Sequence, residues 1–197
     1  MGGRRVVGQV ARALTTAIAI AWLTACSSPP PATFDLGAAP RPAAPMGRGQ
    51  LAVAEPQAVT FLDSERMAVR TSGNTIAYLP GGQWADRLPK LVQARLIESF
   101  ENARRIRSVA RPGGRIMAAH QLNSDIRTFE VQEASREAVV EITARIVNDR
   151  TGQIVAAEQF AARAPVESID AAGAAKALDA ASQKVLADLV RWVSERA

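Results

Sequence analysis

In the stretch EAVVEITARIV, residues 137–147, apolar and polar side chains alternate from Val140 to Ile146. Val140, Ile142, Ala144 and Ile146 share one face, while Glu141, Thr143 and Arg145 share the other. Period two belongs to strands, and an alternation this long describes a half-buried strand of an antiparallel sheet. The turn NDRTG then sends the chain back through QIVAAEQFAARAPV, where Ile154, Ala156 and Phe160 repeat one face. Whatever this chain folds into has to be built around that hairpin.

Three further segments read as strands. QLAVAEP alternates Leu51 and Val53 with smaller neighbours, and RMAVRTSGNTIAYL holds two apolar runs parted by Ser72-Gly73-Asn74, a hairpin signal. In SDIRTFEVQ the apolar phase slips between Ile126 and Phe129, which a β-bulge accounts for. Two segments read as helices. From Trp84 to Asn102 the residues Trp84, Leu88, Leu91, Val92, Leu96 and Phe100 form one stripe. In the second, capped by Asp170, Leu178, Ala181, Val185, Leu189, Trp192 and Val193 form another. Strands without βαβ alternation, plus two amphipathic helices, predict an α+β fold: an antiparallel sheet with both helices packed on one face.

The N-terminus has a different character. Arg4, Arg5 and Arg12 precede an apolar run from Ala13 to Trp22, which is the layout of a secretory signal peptide and too short to span a bilayer. Leu23-Thr24-Ala25-Cys26 follows and resembles the lipobox of bacterial lipoproteins. The resemblance implies cleavage before Cys26 and acylation of its thiol, and Ser27 after it favours the outer membrane. Several acyl chains on one cysteine anchor a protein durably where a single chain does not. The predicted organisation is a signal peptide over 1–25, a lipidated proline-rich tether over 26–49 with an edge strand at 33–37, and one α+β domain over 50–197.

Removing the leader removes three arginines and no acid, taking the net charge from +5 to +2. With few aromatics and no basic stripe beside them, nucleic-acid binding has no support. Catalysis has little more. His120 is the only imidazole and Cys26 the only thiol, and neither a nucleotide-binding loop nor a nucleophile elbow stands near His120. One thiol and one imidazole build no metal site. The arginines 104, 105, 107, 111 and 115 around RPGG read as a solvated loop after a helix, with contact to anionic headgroups or an acidic partner as the functional alternative.

The passage IAYLPGGQWADRLP reads as Tyr78 ending a strand, Pro80-Gly81-Gly82 turning, and Trp84 opening a helix. Together with the lipobox, TFDLG after a proline stretch, TFEVQ, VVEITARIVN, QFAA and the terminal VLADLVRWV, it resembles the ABC-type transport auxiliary lipoproteins. The short TSGNTIAY passage departs from that pattern. The resemblance implies a non-catalytic lipoprotein without cofactor, anchored through Cys26 in the outer membrane and facing the periplasm. Its implied partners are a periplasmic MCE-domain protein, an ABC ATPase and a permease that move lipid between the membranes. Tyr78 and Trp84 are the candidate contact residues, core packing being their other reading, and a homo-oligomer is compatible with all of this. A pilotin-like assembly lipoprotein would share the same anchor and body.

Overall fold

The computed structural model describes residues 30–40, 49–104, 106–113 and 118–196. The signal peptide, Cys26, Arg105 and Arg115 lie outside them. Nine strands form one sheet: β1 (Ala32–Phe34), β2 (Gln50–Val53), β3 (Gln57–Ala58), β4 (Arg66–Arg70), β5 (Ile76–Trp84), β6 (Ser108–Ala110), β7 (His120–Gln132), β8 (Glu137–Asn148) and β9 (Ile154–Pro165). Two helices, α1 (Leu88–Ala103) and α2 (Ala171–Ser194), complete the fold, so the class is α+β.

The sheet is mixed, not antiparallel as expected. β7, β8 and β9 make the antiparallel meander that the alternation requires. On the other side of β7, the chain from residue 50 to 70 runs as one broken strand. β2 lies beside 120–122, β3 beside 125–126 and β4 beside 130–132, all parallel to β7. Parallel neighbours need a long crossover, and here β5, α1 and β6 supply it. Leu51-Ala52-Val53 and Met67-Ala68-Val69 are buried without alternation, as strands covered on both faces are.

Bulges adjust the register. The slip expected between Ile126 and Phe129 is a β7–β8 irregularity between Ile126 and Thr128, leaving Arg127 unpaired and exposed. A second, unexpected one skips Val155, so Ile154 pairs with Val147 on the outer face instead of joining Ala156 and Phe160. Ile154 is accordingly 60 % exposed.

Both helical stripes are buried against one core with Leu122, Ile126, Phe129 and the inner face of β8. α1 begins at Leu88, four residues later than the stripe suggested, with Pro89 in its first turn, where a missing N–H costs nothing. α2 begins as expected: the Asp170 carboxylate accepts a hydrogen bond of 2.8 Å from the Gly173 amide.

The segment from Pro31 to Pro40, assigned to the tether, is part of the folded unit. β1 pairs with β5, Leu36 and Ala39 are buried, and the Gly37 amide donates to Asp179 at 2.6 Å. The Ala39 amide donates to Ser99 at 2.9 Å, and Asp35 pairs with Arg95. This strap clips both helices. Leu36→Ala is expected to cost about 2–3 kcal/mol, read as a lowered melting temperature of the full chain. The hydrogen bond from Arg95 holds the Asp35 carboxyl below the ordinary aspartate range, with the Leu36 amide helping against partial burial. Its contribution is therefore present above the unfolded-state value and is lost as pH falls through the lowered folded one.

Candidate functional site

The Pro80-Gly81-Gly82 passage is not a turn, because β5 runs through it to Trp84. Ala68 pairs with Tyr78 and Arg66 with Gln83, so Met67 alone stands opposite the stretch 79–82. This wide bulge explains both glycines. Gly81 has φ +77°, which a side chain disfavours, and a Cβ on Gly82 would collide with Ala171 at the start of α2 and with Phe34 of β1.

The bulge separates the fates of the two candidate aromatics. Trp84 is 1 % exposed and meets Phe129 edge to face, with ring centroids 5.8 Å apart. It ends a strand, opens no helix, and has no surface to offer a partner. Tyr78 lies inside β5, half-buried. Its hydroxyl donates to the Phe61 carbonyl at 3.4 Å, and the Arg66 guanidinium stacks 3.6 Å from its ring centroid. A cation on an aromatic face near solvent contributes about 0.5–1 kcal/mol and makes a flat amphipathic surface.

Tyr78 also belongs to a row crossing the face opposite the helices: Tyr78, Ala68, Glu130, Val139 and Arg163 stand side by side on five strands. Glu130 is buried there at 1 % exposure, with Arg70 gripping both carboxylate oxygens; the longer bond is 2.9 Å. Two clefts of about 480 and 460 Å³ open on the same face and share Gln57 and Asp125. Glu55, Gln121, Asn123 and Arg145 line the first, and Val59, Phe61 and Arg127 the second. Nothing in the sequence singled out Gln121, Asn123 or Asp125, because the clefts gather residues distant along the chain. The cleft carboxylates are already engaged, Asp125 by Arg145 and Glu55 by Arg87. The arrangement suits polar recognition more than proton transfer.

His120 begins β7, paired with Leu51 and Asn148, away from any cluster of acids. Among the described residues no group of three or more His, Cys, Asp or Glu could hold a metal. Arg104 caps α1 in a left-handed conformation, and Arg111 donates to Gln93 at 3.2 Å.

Residues 34–190 match the model of the ABC-type transport auxiliary lipoprotein component. The chain belongs to that family. A Bradyrhizobium diazoefficiens protein is 36 % identical over 152 residues, which cover 77 % of this chain and 41 % of that protein. This chain therefore spans less than half the length of that relative. A Xanthomonas campestris protein of known crystal structure superposes with a TM-score of 0.74 at 28 % identity, over 83 % of this chain and 94 % of that one. A Chlamydia trachomatis protein shares the fold at a TM-score of 0.53 and 10 % identity, over 76 % of this chain and 98 % of its own. No helix among the described residues is long and apolar enough to cross a membrane.

Proposed function

We propose that this protein is the non-catalytic auxiliary lipoprotein of an MCE-type ABC lipid transport system. It is anchored in the outer membrane through Cys26 and docks the outer-membrane end of the assembly from the periplasmic side. The observation that carries the reading is the family match over 34–190, which runs from β1 into the last turns of α2. The helix-free face fits a docking role, with half-buried Tyr78 under Arg66 and the two polar clefts beside it. Energy would come from a partner ATPase.

Within the 26–49 segment expected to be the tether, Pro31–Pro40 belongs to the folded unit. Cys26→Ser is expected to abolish palmitate labelling and release a folded protein from the membrane fraction. The anchored full chain is expected to co-purify an MCE-domain protein. Continued labelling of the serine variant would remove the anchor from the proposal. Capture of a secretin or pilus component in place of an MCE protein would favour the pilotin-like role.

A further inference from the structure

β9 ladders to β8 along one side only, and no strand of the fold flanks the other among the described residues. That side presents a row of backbone N–H and C=O groups. Open edges in folded proteins are usually short, charged or broken by proline, because an open ladder is a template for another strand. β9 is 12 residues long, its charges are Glu158 and Arg163, and its single proline is its last residue. Three large apolar residues stand out as exposed, and two of them, Ile154 at 60 % and Val155 at 51 %, open this strand. Phe160 and Ala162 pair with buried Ile142 and Val140 yet remain half-buried themselves, since the sheet stops beside them.

We propose that β9 takes up an extended strand from another protein, one that carries a lysine or arginine opposite Glu158. The backbone edge specifies an extended strand, and the side chains specify its charge. Glu158 pairs across the ladder with buried Ala144, which puts it on the helix side of the sheet. It has no ion-pair partner among the described residues. Arg163, the cation of the strand, lies on the other face and is held by Glu137. Alanines at 156, 157, 161 and 162 leave room on both faces for larger side chains of the incoming strand.

Isologous pairing of β9 with the β9 of a second copy does not fit the requirement. Pairing β9 with β9 about a two-fold axis sets same-face residues opposite one another. The face bearing Glu158 carries Ala156, Phe160, Ala162 and Ala164 besides, and no cation. The proposal is independent of the transport reading, since the edge would accept such a strand whatever machinery the protein serves.

The test uses the full chain in detergent and two short synthetic peptides of alternating Thr and Val, one with a central Lys and one with a central Glu. Hydrogen exchange of the β9 amides is the readout. The Lys peptide is expected to protect β9 at about fivefold lower concentration than the Glu peptide. Glu158→Lys, an exposed change whose fold circular dichroism checks, should reverse that preference. Absence of protection by either peptide, or equal protection by both in both proteins, overturns the proposal. So does protection of β9 without peptide that rises with protein concentration, which puts a second copy on the edge.

Discussion

Trp84→Ala is expected to destabilise the fold by about 3–5 kcal/mol, measured as a shift in the urea midpoint of the full chain. The indole is fully buried at the end of β5, and its edge-to-face contact with Phe129 ties that strand to the central strand β7. Truncation removes the transfer free energy of a large side chain and leaves a cavity that neighbouring strands cannot close, because their register is set by backbone ladders. Trp84→Phe should cost less, since it keeps an aromatic edge against Phe129. Tyr78→Ala separates stability from docking. It forfeits a half-exposed ring, a long hydrogen bond and the Arg66 stack, so the body should stay folded. Loss of partner capture by folded Tyr78→Ala, with Trp84→Phe still competent, would assign the contact to the helix-free face. Equal capture by all three folded variants would move it elsewhere.

What the sequence revealed about these residues follows a physical pattern. Alternation reports burial of one face, and it located β7, β8 and β9 together with the bulge near Ile126. It carries no information on strand direction, which is why the parallel placement of β2, β3 and β4 on β7 was missed. The clue was the unbroken burial of Leu51-Ala52-Val53 and Met67-Ala68-Val69, which short apolar runs share with many other structures. Trp84 sits four residues before Leu88, a helical spacing, and so joined the α1 stripe by coincidence. Pro89 in the first helical turn was the better marker of where the helix starts. Pro-Gly-Gly signals a turn in most contexts, and only packing shows that Gly82 makes way for Ala171 and Phe34. The proline-rich strap was read as a tether because composition cannot say that Leu36 has a pocket. The clefts and the open β9 edge are tertiary features: one gathers residues distant in sequence, and the other depends on where the sheet ends.

Arg70→Ala is expected to cost about 3–5 kcal/mol, comparable to the loss of a core aromatic, although Arg70 itself is partly exposed. The reason lies with its partner. Glu130 sits in the middle of the cross-sheet row at 1 % exposure, and Arg70 supplies a hydrogen bond to each of its oxygens while also donating to Asn74 at 3.1 Å. Deleting the guanidinium leaves a buried carboxylate with its charge uncompensated, and that penalty exceeds the worth of the pair itself. Two further variants distinguish this from simple loss of packing. Arg70→Met keeps most of the stem that covers the sheet and should be nearly as damaging, because the orphaned charge remains. The double variant Arg70→Met with Glu130→Leu removes charge and partner together and should recover most of the lost stability in a denaturant titration. If Arg70→Met proves mild, or the double variant falls as far as the sum of the single ones, the pair is not what holds this part of the face. Recovery in the double variant would show that the row from Tyr78 to Arg163 can be kept folded without its buried charge. Partner capture by that variant then reads whether the Arg70–Glu130 pair, and not only the fold, belongs to the docking surface.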